Sequence, residues 1–250
     1  MLLFYHATKK RLKTFRQLLV VKLEAVNKLF LAIYHASQAT KPHAGVRIDG
    51  PFHGDSLVTS GILDQIIDFR NYQYASNHQH LINNGQYLIE KKMRIDERSF
   101  HFVAFAGDHI VGCVRLTPAP FELSSLHPEV KKLNHKYEYG GYLEISRLIC
   151  ASDRLPRSRV GERLLLSAGK WALVSNRRKG LFAITRGNNH RKFSKYGFCI
   201  QNDQPFSVAT RAGAGYNIIS ATFRDITANV VKNLISVKTN NTPLISKRRI

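Results

Sequence analysis

Between residues 1 and 38, apolar positions such as Leu19, Leu23, Val26, Phe30 and Ile33 recur at helical spacing with lysines between them. This predicts one or two basic amphipathic helices, which either pack on a domain with the basic face in water or lie on a partner surface. Pro42, Gly45, Gly50, Pro51 and Gly54 then predict a linker over residues 39–56. From Gly61 onward Ile62, Ile66 and Phe69 predict a helix to about Tyr74. Ser99 to Phe105 and Ile110 to Leu116, separated by Gly107-Asp108, predict a β-hairpin. A proline-rich loop at residues 118–128 leads to a third strand, Tyr142 to Cys150.

Past a basic loop from Asp153 to Val160, Gly161 opens a helix in which Leu164, Leu165, Ala168, Trp171 and Ala172 share a face. A strand from Leu181 to Thr185 ends at Arg186-Gly187, a short helix is predicted near Asn189 to Lys195, and alternating stretches to about residue 227 predict closing strands. The basic, asparagine-rich end predicts a loose tail. No internal repeat is present. The order of elements predicts an α/β (α+β) layer fold, a mixed sheet with helices on its faces. The expected organisation is a basic helical extension and linker (1–56), one domain (57–228) and a tail (229–250).

Composition narrows the class. With 250 residues, 44% hydrophobic and 22% charged, the chain is neither disordered, nor collagen-like, nor a disulfide miniprotein. Cys113, Cys150 and Cys199 lie far apart, without disulfide or zinc spacing, and a reducing cytoplasmic setting is expected, with no metal. The apolar stretch Leu18 to Ala36 is broken by Lys22, Glu24 and Lys28, unlike a signal peptide or membrane span. Net charge is +21 and uneven: nine basic and two acidic residues up to 50, ten and eleven over 51–150, nineteen and four from 151 onward. Such a field favours an anionic macromolecule: nucleic acid, an acidic membrane or an acidic protein. For nucleic acid the charge stands alone, since the sequence has no helix-turn-helix signature, zinc spacing or aromatic sheet code.

Four segments carry candidate chemistry. Arg115 shares a strand face with Val111 and Cys113, either salt-bridged or functional. Glu144 and Arg147, three apart on a strand, face opposite sides unless a bulge inserts one residue; without it they are a charged pair on a half-exposed strand. A bulge would also free backbone N–H groups near Leu148 to Cys150 for a carbonyl or oxyanion. Arg157, Ser158, Arg159, Val160 and Gly161 precede a helix, either as a plain connection or as a phosphate site completed by Arg163. Arg70 and Tyr74 share a helix face, and Asp96 precedes the hairpin.

Together these segments resemble the GNAT superfamily, in its branch of acyl-homoserine-lactone synthases and long-chain N-acyl amino acid synthases, over about Ile62 to Phe198. The matching positions are Arg70 with Tyr74, Asp96 ahead of His101 to Phe105, the run Gly112, Cys113, Arg115, Leu116 and Pro118, and the run Glu144, Ser146, Arg147, Leu148 and Ile149. The resemblance implies a mostly antiparallel sheet with a splayed strand pair. It also implies that the loop Arg157 to Gly161 holds the pyrophosphate or phosphopantetheine of an acyl donor. Three positions depart from the pattern: Arg159 stands where a second glycine is usual, Phe193 where many acetyltransferases have a tyrosine acid, and Met93 where lactone synthases have an aspartate.

The implied activity moves a fatty acyl chain from acyl carrier protein or acyl-CoA, used as co-substrate with no bound cofactor, to an amine of an amino acid or peptide side chain. Glu144 is the expected base, in a network with Arg147, Arg115, Arg70 and Asp96. Leu148, Ile149 and Cys150 would lie along the thioester. The expected partner is an acidic acyl carrier protein, with an acidic precursor peptide as a further acceptor. The alternatives are an acyl-homoserine-lactone synthase using S-adenosylmethionine and a basic nucleic-acid-binding protein.

Overall fold

Aromatic and β-branched residues between positions 100 and 117 build the centre of a seven-stranded sheet, in a computed structural model that describes residues 45–77, 91–125, 127–151, 159–175, 179–208 and 215–240. The helices expected at 1–38 lie outside the described residues. Strands β1 (Val46–His53), β2 (Phe100–Ala106), β3 (His109–Thr117), β4 (Tyr142–Cys150), β5 (Gly180–Arg186), β6 (Cys199–Ile200) and β7 (Tyr216–Thr222) are ordered β1-β2-β3-β4-β5-β7-β6. Only the β4–β5 pairing is parallel. Parallel neighbours need a crossover, which helix α5 (Val160–Ser175) supplies.

Among the described residues the helices are α1 (Gly54–Thr59), α2 (Ile62–Asn77), α3 (Arg94–Glu97), α4 (Pro128–Tyr139), α5, α6 (His190–Ser194) and α7 (Phe223–Asn240). Leu63, Ile66, Ile67 and Tyr74 of α2 bury against Val103, Cys113 and Ile149. On the same sheet face, Val130 and Tyr137 of α4 join Phe121, Phe182 and Ile218, with Tyr137 stacked on Phe182 at 4.7 Å. The other face carries α5 and α7. There Gly112 leaves room for α5: a Cβ would lie 2.5 Å from Val160. Trp171 covers Phe100 and Phe102.

Three elements differ from expectation. Residues 46–53, expected within a linker, form edge strand β1; an edge tolerates Pro51, and the register shifts between Asp49 and Phe52 to accommodate the interruption. Helix α4 follows the proline-rich loop unannounced, because only Val130 and Tyr137 among its described apolar side chains are buried. Helix α7 replaces most of the expected tail, which began at 229: Phe223, Ile226 and Val230 are buried at helical spacing. Its start is fixed by a reciprocal cap in which the Asp225 N–H donates to Thr222 Oγ1 at 3.1 Å and the Thr222 hydroxyl to Asp225 Oδ2 at 2.6 Å.

Candidate functional site at the β4–β5 split

The β3–β4 ladder pairs Arg115 with Ser146 and Cys113 with Ile149, so two residues of β3 span three of β4. That is a β-bulge, and Arg147 takes its left-handed conformation with φ 57°. The Cys113 thiol donates to the Arg147 carbonyl at 3.6 Å beneath it. Because of the extra residue, Glu144, Ser146 and Arg147 all address the same side of the sheet, as the converging reading of the sequence requires.

On that side lies a chain of ion pairs. Asp96 Oδ1 accepts from Arg115 Nη1 at 2.8 Å and from Arg70 Nη1 at 3.4 Å. Arg115 Nε donates to Ser146 Oγ at 3.1 Å, and its Nη2 to Glu122 Oε2. Glu122 Oε1 accepts from Arg147 Nη2 at 3.2 Å. Burial alone would raise both carboxyls. Beside Arg115 and Arg70, however, Asp96 is held below its ordinary range, and beside Arg147 and Arg115 so is Glu122. Next to them burial, and then the Arg70 charge, push His101 down to about 4; its Nε2 meets the Asp96 carbonyl at 2.9 Å. His101 is therefore neutral near pH 7.

Glu144 was expected inside this network and is not; Glu122 takes that place. The Glu144 side chain is 0% exposed, its Oε2 accepts from the Leu123 N–H at 3.0 Å, and its Oε1 has no partner. Burial, only partly offset by that N–H and reinforced by the Glu122 charge, pushes the carboxyl up to about 7. Such a group takes up and gives back a proton near neutrality, the property a general base needs. Sequence reasoning missed Glu122 because it sits in the proline-rich loop, where no periodicity marks a side chain. The available signal was a surplus of arginines over carboxylates among the candidate residues.

The loop that carries Glu122 is itself fastened. Arg98 Nη1 donates to the Pro118 carbonyl at 3.1 Å and its Nη2 to that of Pro120, while Phe121 and Leu123 are buried in the α4-side core. Glu122 and the Leu123 N–H are thus presented from a pinned strap.

Beside β4 the sheet opens. The β4–β5 ladder pairs Tyr142–Gly180, Leu143–Leu181 and Glu144–Phe182 and ends there. Beyond it the facing edges border a cleft of about 220 Å³ lined by Ile145, Ser146, Arg147, Leu148, Thr185 and Phe193 among others. Backbone groups that a ladder would occupy are presented to this space.

The expected donor-binding residues separate. Leu148 lines the cleft, whereas Ile149 turns into the α2 core. Cys150 lies beside Gly161, and burial pushes its thiol up to about 12. Val160 is buried over Gly112. Arg159, at φ 50°, pairs with Glu162 at 3.4 Å. Arg163, expected to add charge there, donates instead to the Val46 carbonyl at 2.8 Å. Arg157 and Ser158 lie outside the described residues. Among the expected network members, Arg70, Asp96, Arg115 and Arg147 do come together; Tyr74, expected on the same helix face as Arg70, belongs to the core. Among the described residues no cluster of His, Cys, Asp or Glu is arranged to hold a metal ion.

No family model matches the chain, and no curated protein matches it. Solved structures do resemble it. MesI, a CoA-dependent acyl-homoserine lactone synthase, superposes with a TM-score of 0.55 at 10% identity, over 76% of this chain and 94% of that one. BjaI, a CoA-dependent acyl-homoserine lactone synthase with S-adenosylmethionine and isopentyl-CoA, gives 0.52 at 14% identity, over 76% and 89%. A Lactobacillus plantarum protein described as a putative N-acetyltransferase gives 0.50 at 13% identity, over 72% and 99%.

Proposed function

Since the chain has the GNAT-type fold shared with the acyl-homoserine lactone synthases, we propose that it is an N-acyltransferase that moves a fatty acyl group from a phosphopantetheine thioester to the amine of an amino acid or peptide side chain. The observation that carries this reading is the β4–β5 ladder ending at Glu144–Phe182, with a cleft beyond it and a bulge that turns Glu144 and Arg147 to one side. A pantetheine arm is extended and rich in amides. It adds to exposed strand edges as a peptide strand does. BjaI, of the same fold, has been solved with isopentyl-CoA.

In this mechanism a neutral amine attacks the thioester carbonyl carbon, forming the C–N bond while its proton passes through a water to Glu144 Oε1, which is sealed from the cleft itself. Backbone N–H groups of β4 near Leu148 stabilise the oxygen that becomes negative. The C–S bond then breaks and the sulfur leaves. With a reference thiol pKa of about 8.5, it departs readily as a thiolate and takes a proton from water at the open mouth, which is why Phe193 in place of an acid is tolerated. Arg147, supported by Arg115 and Glu122, borders the acceptor.

The N-terminus of α5, with Arg157, Ser158, Arg159, Val160 and Gly161, attracts the donor's phosphate. Exposed Arg191 and Lys192, on the helix whose Phe193 lines the cleft, add a basic surface suited to an acidic acyl carrier protein or an acidic precursor peptide. No helix among the described residues is long and apolar enough to cross a membrane. The proposed setting is the cytoplasm.

The second reading is lactone synthesis from S-adenosylmethionine, which the likeness to BjaI and MesI favours. One assay separates the two readings. The protein is mixed with acyl carrier protein or acyl-CoA thioesters and with amino acids, lysine peptides or S-adenosylmethionine, and thiol release and product mass are followed. Amine-dependent thiol release with an N-acyl product supports the first reading, and a lactone supports the second. Amine-independent release, or none, overturns both.

A further inference from the structure

Arg147 is gripped at two ends. Its guanidinium pairs with Glu122 at 3.2 Å, and its carbonyl oxygen accepts from the Cys113 thiol at 3.6 Å. Between them its backbone stands at φ 57°, a conformation that is strained for an arginine and persists where surrounding contacts impose it. The thiol contact lies where the β3–β4 register shifts, between the Cys113–Ile149 and Arg115–Ser146 pairs. It is shut away from water, since Cys113 is 0% exposed and packs among Leu63, Ile66, Val103 and Ile149.

A peptide unit is planar and trans, so its C=O and its N–H point in opposite directions. The unit that carries the Arg147 carbonyl also carries the Leu148 N–H. Strand β4 lies between β3 and β5. A carbonyl drawn toward Cys113 on β3 therefore turns the Leu148 N–H toward β5, where the ladder has ended and Leu148 lines the cleft.

We propose that Cys113 is a positioning residue: its thiol fixes the tilt of the 147–148 peptide and so aims the Leu148 N–H at the oxygen that becomes negative during acyl transfer. This inference rests on the acyl-transfer reading. Cys113 touches neither substrate and acts through one backbone unit. A thiol suits the place because sulfur is apolar enough for a core of aliphatic side chains and still offers one weak donor. A preset N–H needs no reorganisation as charge develops, whereas one that can swing must be aimed again at each turnover.

Cys113→Ala and Cys113→Ser leave nearly the same small void and differ by one hydroxyl donor, so comparing them in the full-length protein separates the hydrogen bond from packing. Cys113→Ala should lower kcat about tenfold, part of the roughly 10²–10³-fold that a lost oxyanion donor costs, with KM for thioester and amine nearly unchanged. Cys113→Ser should recover most of that loss. With amine left out so that nothing turns over, infrared difference spectra of a thioester isotopically labelled at its carbonyl carbon add a second readout. Its C=O stretch should fall on binding to the wild type and to Cys113→Ser, and fall less with Cys113→Ala. The S–H stretch of Cys113, read as wild type minus Cys113→Ser, should lie below that of a thiol without a hydrogen bond. Should Cys113→Ala fail to fold, this band decides. An equal loss of kcat in both variants would reduce Cys113 to packing and overturn the proposal. Equal carbonyl shifts in all three proteins, or an S–H band at the position of an unbonded thiol, would overturn it too while leaving acyl transfer standing. A carbonyl that does not shift even in the wild type, or the absence of amine-dependent turnover, would overturn the acyl-transfer reading and this proposal with it.

Discussion

Replacing Glu144 by glutamine should make the protein more stable and far less active. The unfolded carboxyl gives up its proton near its ordinary value of 4.5, the folded one near about 7. Between these values the folded state binds more protons, so stability falls as pH rises: the penalty is absent below the unfolded value, grows through the window and is complete above the folded one. Two and a half pH units at about 1.4 kcal/mol each give a penalty of about 3 kcal/mol at pH 8. Glutamine keeps the shape and an oxygen for the Leu123 N–H but never ionises, so Glu144→Gln escapes the penalty.

Urea unfolding of wild type and variant at pH 5 and pH 8 measures it. The difference should be small at pH 5 and should favour the variant by about 3 kcal/mol at pH 8, since other titrating groups cancel between the two proteins. Activity should move the other way, down by about 10²–10⁴-fold, as for the loss of a general base. The wild-type kcat/KM should show an acid limb near pH 7 that the variant lacks. A stability difference independent of pH between 5 and 8 would refute the assignment of a raised carboxyl to Glu144.

Arg115→Met leaves Asp96 and Glu122 without their shared cation and should cost about 3–5 kcal/mol in chemical unfolding, as broken buried pairs do. At Arg147, where φ is 57°, valine should be less stable than glycine by about 1–2 kcal/mol or more, because only glycine adopts that conformation without strain; equal midpoints would argue against the bulge. Gly54→Ala would set a Cβ 1.8 Å from the Asp96 carbonyl and should lower stability by about 1–3 kcal/mol through displacement of α3, seen as a fall in Tm.

The hairpin β2–β3 was legible in the sequence because both strands are rich in aromatic and β-branched residues, buried on both faces, with Gly107-Asp108 between them, and strand β4 because its apolar run stands between turn residues. The bulge was legible as a condition: Glu144 and Arg147 share a side only if a residue is inserted, and the inserted residue is Arg147 itself. Glu122 was not legible, since its role comes from two separate strands, β3 before it and β4 after it, converging on a loop without periodicity. Helix α7 was hidden by its asparagines and threonines, although Phe223, Ile226 and Val230 mark one buried stripe. In β1, Gly50 and Pro51 signalled a linker, yet an edge strand has no outer neighbour to which a missing N–H must donate.

Intact-mass analysis of products after incubation with acyl carrier thioesters and free amino acids addresses the central claim, that Glu144 and the β4–β5 cleft perform acyl transfer to an amine. An N-acyl amino acid released together with free carrier thiol by the wild type, and lost in a folded Glu144→Gln variant, is the outcome expected. Failure to form any amide product, or a product formed by Glu144→Gln at the wild-type rate, would contradict it.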